Sequence, residues 1–113
     1  MNKSNFKQLQ ELTDFERSVL EVIQKIPKGR LATYQSVARA IGRPLAVRAV
    51  GNAVNKNPLI LKIPCHCIVK SDGQIGGFGA GVKNKIKFLT AEGIKLEGNK
   101  RIKNLNQLLY TFK

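Results

Sequence analysis

Acidic residues are scarce in this chain. Seven Asp and Glu stand against twenty Lys and Arg, a formal net charge of +13 over 113 residues. Cysteine is scarcer still: there are two, Cys65 and Cys67, and the one histidine, His66, lies between them. A disulfide closed across a single residue is strained, which argues against an oxidised, secreted scaffold. No apolar run approaches the ~18 residues that a membrane span needs. Met1 to Leu12 is polar and holds no apolar signal-peptide core. Repeats, low-complexity tracts and long Gly/Ser linkers are also missing. These absences lead to the expectation of a soluble protein with no membrane partner, cytoplasmic, or nuclear if the source is eukaryotic.

What is present suits one folded domain. A hydrophobic content of 42% can build a core despite the charge, and the length fits a single domain. The expected division is a polar lead-in over 1–12 and one domain over 13–113. A compact domain of this charge attracts polyanions, of which nucleic acid is the commonest. A Lys-rich solubilising surface is the plain alternative.

The pattern along the chain is mostly helical. Thr13 with Glu16 three residues later forms a capping box. Phe15, Val19, Val22, Ile23 and Ile26 then recur at helical spacing, until Pro27 and Gly29 stop the helix. Thr33 caps a second helix over Tyr34 to Ile41, and Gly42 ends it. Pro44 opens a third that runs to about Lys56. Helix, tight turn and helix in this order outline a helix-turn-helix. The third helix has a thin inner stripe of Ala46, Ala49, Val50 and Ala53, and an outer side of Arg48, Asn52 and Asn55. Gly51 costs it about 1 kcal/mol relative to Ala. Either tight packing on its own core or a helix pressed into a DNA groove would explain that cost. Asn57-Pro58 breaks the helix. Ile68-Val69, the turn signal Ser71-Asp72-Gly73 and Gln74-Ile75 read as a short β-hairpin. A helix over about Lys83 to Glu92 with Gly93 as its cap, a short strand at Ile94 to Leu96, and a terminal helix through Leu105, Leu108, Leu109 and Phe112 follow.

Pro64-Cys65-His66-Cys67 is the densest reactive cluster. Thiolates and imidazole are zinc ligands, but consecutive side chains of an extended segment alternate in direction and cannot share one centre. No second Cys/His pair exists to complete a shell, so no metal is expected. Inert buried thiols are a second reading. The third is a nucleophile: a thiol with a pKa of about 8.5 needs help to ionise. His66, acting through a water, could be the base, with Glu92 orienting it. The run Gly76-Gly77-Phe78-Gly79-Ala80-Gly81 lacks the phosphate-cradling patterns and reads as a flexible loop or lid.

Ile63-Pro64-Cys65-His66, followed by Gly73, Gly76, Gly81, Lys85 and Glu92, resembles the active-site region of the methylated-DNA–protein-cysteine methyltransferases, also called O6-alkylguanine-DNA alkyltransferases. Upstream, Gly29, Thr33-Tyr34, Ala38, Gly42, Arg48-Ala49-Val50-Gly51 and Asn57-Pro58 extend the resemblance, which covers about Phe15 to Gly98. It implies a winged-helix-like helix-turn-helix DNA-binding domain, mostly α with a short hairpin, equivalent to the C-terminal catalytic domain alone.

By this resemblance Cys65 is the acceptor of the alkyl group from O6 of guanine, and His66 and Glu92 are the proton relay. Asn57 braces the turn after the recognition helix. Arg48 is the finger that fills the gap left by a flipped nucleotide, and Tyr34 pushes the 3′ phosphate. Gly51, Asn52, Arg43 and Lys56 belong to the DNA-facing surface. Val69, Gly77, Phe78, Gly79, Ala80 and Lys85 line the substrate pocket. The implied reaction is irreversible and stoichiometric, needs no cofactor, and acts on double-stranded DNA through the minor groove as a monomer. A base atom inside a duplex is out of reach of a thiol, so flipping is required, and minor-groove binders often insert a wedge.

Three positions depart from the family pattern. Cys67 replaces a usual Arg, Phe78 a common Tyr, and Gly79 a common Ser. Two rival readings remain. One is an alkyltransferase-like protein that recognises the lesion without transfer, in which another residue, often Trp, stands at position 65. The other is a general basic helix-turn-helix protein with inert cysteines.

Overall fold

The computed structural model describes residues 12–56, 63–78, 81–98 and 100–112. The lead-in up to residue 11, Asn57, Pro58, Gly79 and Ala80 lie outside the described residues.

Helix α1 (Asp14–Ile23) begins at the capping box read from the sequence. The Glu16 N–H donates to Thr13 Oγ1 at 3.1 Å, and the Thr13 N–H donates to Glu16 Oε1 at 2.9 Å. Val19, Leu20 and Ile23 form its buried face. The helix is shorter than its apolar stripe: residues 24–26 continue as turns, although Ile26 remains buried. Pro27 disfavours helical backbone in the residue before it, which accounts for the early stop.

Strand β1 (Ala32–Thr33) leads directly into helix α2 (Tyr34–Ala40), which Thr33 caps with Ser36 as its reciprocal partner. Gly42, at φ 77°, ends α2. Its N–H bonds to Arg39 O at 3.0 Å, and the Arg43 N–H bonds to Ala38 O at 2.9 Å. This left-handed cap delays helix α3, which spans Val47–Asn55 rather than starting at Pro44. Ala46 occupies its N-cap and offers no side-chain hydrogen bond. The inner stripe also differs from the expectation: Val50, Ala53 and Val54 are buried, whereas Ala49 is exposed and Ala46 half-buried.

A single 3-10 turn at Cys65–Cys67 precedes strand β2 (Ile68–Val69). β2 pairs in parallel with β1, Ala32 opposite Ile68 and Thr33 opposite Val69. That pairing holds the cysteine turn beside the start of the helix-turn-helix. The expected hairpin over 68–75 survives only as its turn, with the Lys70 N–H bonded to Gln74 O at 2.8 Å. Gln74 bridges to Arg101 instead of continuing along β2, whose residues are taken by β1. The short antiparallel hairpin of this domain lies further on, between β3 (Leu96–Glu97) and β4 (Arg101–Ile102).

Helix α4 (Val82–Ala91) ends on Glu92 and Gly93, with the Ile94 N–H returning to Leu89 O at 3.1 Å. The last helix, α5, covers only Leu105–Leu108. Beyond it the chain is extended beside Leu31: the Leu31 N–H bonds to Leu108 O at 2.9 Å, and the Tyr110 N–H to Leu31 O at 2.7 Å. Those backbone bonds replace the helical ones expected to Phe112. Helices α1, α2 and α3 pack on one another, and α4 packs on the cysteine turn. Among the described residues no helix is long and apolar enough to cross a membrane.

Candidate active site and nucleic-acid interface

The cysteine turn owes its shape to Pro64. Pro64 precedes the turn at φ −77° and ψ 61°, and its carbonyl accepts the Cys67 N–H at 3.0 Å. The turn buries Cys65, His66 and Cys67 at 2%, 3% and 1% exposure. His66 Nε2 is hydrogen-bonded to Glu92 Oε2. A carboxylate only accepts, so this nitrogen carries the proton. In the tautomer that this bond selects, Nδ1 carries the lone pair. It is buried and has no hydrogen-bond partner among the described residues. Phe88 meets the imidazole edge-on at 5.6 Å.

Glu92 is placed by backbone on one oxygen and by the imidazole on the other. It is the C-cap of α4, and its Oε1 accepts the Gly29 N–H at 2.7 Å. Gly29 makes that approach from a φ of 86°. A carboxylate at a helix C-terminus works against the helix dipole, so the Gly29 and His66 contacts must hold it there. Cys67 Sγ lies 4.0 Å from both Glu92 oxygens. Burial, then the negative charges of Glu92 and Cys65, push the Cys67 thiol up to about 12. Cys67 is therefore a protonated thiol facing the carboxylate.

Lys85 is fully buried. Its Nζ donates to Ile68 O at 2.7 Å, to Gly77 O at 3.1 Å and to Ile75 O. Burial lowers its pKa to about 8, opposed by the charges of Cys65 and Cys67. The lysine read as a pocket charge is thus a tie that fastens the 75–77 segment to the strand after the cysteine. Tyr34 lies on the other side of this tie, with Lys85 Nζ 5.8 Å from its ring centroid. Burial, then the charge of Cys65, raises the Tyr34 pKa. Gly76 is required here twice over. Its φ is 76°, and a Cβ would sit 3.2 Å from the Tyr34 hydroxyl. Of the other pocket candidates, Val69 is buried in the core and Phe78 is buried edge-on to Phe88 at 6.0 Å, while Gly77 is exposed.

Arg43, Arg48 and Asn52 are exposed, as an interface requires. Lys56 is exposed too, but its Nζ is paired with Glu16 Oε2 at 2.7 Å, which ties the end of α3 to α1. A Cβ on Gly51 would meet only the Tyr34 ring, at 3.9 Å. That is ordinary contact, so internal packing does not demand glycine. Tyr34, Gln35, Val47, Gly51, Lys70 and Ser71 line a shallow groove of about 340 Å³ beside this helix. Leu45, 98% exposed, and Val47 are exposed apolar side chains just before and at the start of this helix. Apolar periodicity does not single them out, because neither belongs to a buried face. The Gly29–Glu92, Phe88–His66 and Cys67–Glu92 contacts do not follow from local pattern either, because each depends on a pairing distant in sequence.

The fold and the site together define a helix-turn-helix domain of the DNA-binding kind, with a histidine and a carboxylate paired beside a buried cysteine turn. The family described as 6-O-methylguanine DNA methyltransferase, DNA binding domain, matches residues 14–94. The chain belongs to this family. A methylated-DNA–protein-cysteine methyltransferase of Methanothermobacter thermautotrophicus is 46% identical over 87 residues, covering 76% of this chain and 48% of that protein. The chain spans about half the length of the methyltransferases of this name that it matches. Among solved structures, Mycobacterium tuberculosis OGT in complex with DNA aligns with a TM-score of 0.71 at 36% identity, over 73% of this chain and 50% of that one. S. pombe Atl1, in complex with damaged DNA containing O6-carboxymethylguanine, aligns with a TM-score of 0.76 at 27% identity, over 88% of this chain and 97% of that one.

Proposed function

We propose that this chain transfers an alkyl group from O6 of guanine in double-stranded DNA to Cys65, once per molecule and without a cofactor. In this reading it corresponds to the C-terminal catalytic part of its longer relatives and acts as a monomer. The observation that carries the reading is the His66–Glu92 pair beside Cys65 in sequence. It commits Nε2 to the carboxylate and leaves Nδ1 buried and unpartnered among the described residues. A buried polar atom in that state suits a bridging water. The Cys65 proton passes through that water to Nδ1, and Glu92 stabilises the imidazolium that results. The thiolate attacks the alkyl carbon, the S–C bond forms, and the C–O6 electron pair leaves on guanine, which is then reprotonated. Arg48, on the exposed side of α3, takes the place of the flipped nucleotide in the stack. Arg43, Asn52 and Gly51 face the minor groove, while Tyr34 presses on the 3′ phosphate. Asn57, Gly79 and Ala80 keep the roles that the resemblance implies.

A second reading, lesion recognition without transfer, is favoured by one observation. The chain aligns with nearly the whole of Atl1, a structure bound to damaged DNA. Intact-mass spectrometry after incubation with an O6-methylguanine duplex separates the two. Transfer gives one methyl adduct on Cys65 and none in Cys65→Ser. Selective binding of the lesion with no adduct leaves recognition alone. Equal binding to plain and modified duplex overturns both.

A further inference from the structure

We propose that His66, Cys67 and Glu92 form a binding site for a thiophilic divalent cation of the zinc class, and that filling it silences the proton relay. A His66 ring nitrogen, Cys67 Sγ and a Glu92 oxygen lie within 4.8 Å of one another, and Nε2 is the nitrogen that faces the carboxylate. Imidazole, thiolate and carboxylate are the three zinc donors, bonded at about 2.0–2.3 Å in tetrahedral sites. Donors around such a centre stand about 3–4 Å apart, close to the 4.0 Å between Cys67 Sγ and each Glu92 oxygen. The argument that neighbouring residues cannot share a centre holds for extended chain. A 3-10 turn removes it, because His66 and Cys67 both reach the same carboxylate.

Two further features fit a metal. The Gly29 N–H holds the second Glu92 oxygen at 2.7 Å, the kind of outer contact that orients a ligating carboxylate. A cleft of about 480 Å³, lined by Gln24, Lys28, Pro64 and Phe88, opens onto His66 and Glu92. It supplies an entry path and a fourth position for water. Charge also balances: a dication with one thiolate and one carboxylate is neutral as a unit, which a buried site favours. On binding, the Cys67 thiol releases its proton to solvent as the sulfur–metal bond forms, and the Nε2 proton of His66 passes through solvent to Nδ1, which frees the Nε2 lone pair for the cation. The cation takes Nε2 and the carboxylate, so Glu92 no longer stabilises an imidazolium. This second half of the proposal rests on the alkyl-transfer reading.

The full chain, stripped with a chelator, is titrated with Co²⁺. One equivalent should bind, with a thiolate-to-cobalt charge-transfer band that Zn²⁺ displaces. The band should vanish in Cys67→Ser and persist in Cys65→Ser, both checked for folding by circular dichroism. Absence of the band, its survival in Cys67→Ser or its loss in Cys65→Ser overturns the site. If Cys67→Ser does not fold, X-ray absorption of the zinc-loaded wild type decides, and a shell without sulfur overturns the site. One equivalent of Zn²⁺ should slow adduct formation at least about tenfold, reversibly on chelation. Undiminished transfer by the zinc-loaded chain overturns the silencing. A chain that binds cobalt through Cys67 and forms no adduct would instead sink the alkyl-transfer reading.

Discussion

Helix α3 carries Arg48 and Asn52 in solvent, whereas the neighbouring 3-10 turn buries Cys65, His66 and Cys67 to 3% exposure or less. The two regions are held differently. α3 leans on the core through Val50, Ala53 and Val54, and its outer side chains take no part in that packing. The turn is held by contacts from three distant segments: β1 in parallel, Glu92 at the end of α4, and Gly29 behind Glu92. A surface that must meet a large, charged partner gains from exposed side chains. A thiol that must lose its proton on cue gains from a desolvated, prearranged base. Tyr34 lies between Gly51 of α3 and Gly76 of the segment that Lys85 fastens to β2. Substitutions in the turn should therefore change chemistry and leave plain DNA binding intact, and substitutions on the outer side of α3 should weaken DNA binding or base flipping and leave the His66–Glu92 pair intact.

The largest effect is expected at Glu92. Glu92→Gln keeps the shape of the side chain but leaves one amide oxygen for two donors, Nε2 and the Gly29 N–H, and removes the charge that stabilises an imidazolium. Adduct formation on Cys65 should slow by about 10²–10⁴-fold, the usual worth of an acid–base group, as read by quenched time courses and intact mass. Binding to plain duplex should stay within about twofold, well below 1 kcal/mol. A matching loss of binding would break the division between the regions.

Next in size is Lys85→Met. It leaves the carbonyls of Ile68, Ile75 and Gly77 without their buried donor. The cost should be about 2–3 kcal/mol in urea unfolding, with slower transfer as the 75–77 segment loosens. If stability is unchanged, the lysine is not the tie described above.

The same division explains what was legible in the sequence. The Thr13 and Thr33 caps, the α2–turn–α3 outline and the exposed Arg48 follow from local rules, and the structure carries them. A nucleophile Cys65 with His66 as base and Glu92 as orienter is one of three readings of the cluster, and only the resemblance singles it out, because nothing within a helical turn of His66 announces a carboxylate 26 residues away. Lys85 was placed near the pocket, but its role as a tie was not readable. A lysine with three carbonyl partners looks, in sequence, like any other lysine on a basic helix. The hairpin over 68–75 failed for a related reason. β2 is fully apolar and takes β1 as a parallel partner, and parallel pairing leaves no turn signature. The terminal helix stopped early because Leu31 offered backbone bonds that no local pattern foretold.

A smaller effect tests the other region. Gly51→Ala adds a methyl that meets only the Tyr34 ring, at 3.9 Å. Helix propensity should make the folded chain more stable by up to about 1 kcal/mol. The same methyl stands on the face that the proposed groove contact uses, so affinity for duplex should fall while the His66–Glu92 chemistry persists. Rising stability with unchanged affinity would mean that the glycine does not serve close approach to DNA.

The smallest effect falls on Lys56, which belongs to both accounts. It was read as a DNA contact, and it is also the partner of Glu16 at 2.7 Å. The hydrogen bond from Lys56, then the one from the Thr13 N–H, holds the Glu16 carboxyl below its ordinary 4.5. The unfolded chain then binds this proton more readily than the folded one. The resulting stability is present above about pH 4.5 and is lost as the pH falls below it. Lys56→Met should cost about 0.5 kcal/mol at neutral pH, as half-exposed pairs do, and should flatten the acid limb of the stability profile. If Lys56 is mainly a clamp between α1 and α3, the variant should lose less duplex affinity than Arg43→Met, which gives up an exposed charge with no ion-pair partner among the described residues. Comparable losses, with an unchanged acid limb, would assign Lys56 to the phosphate backbone and make the Glu16 pair incidental.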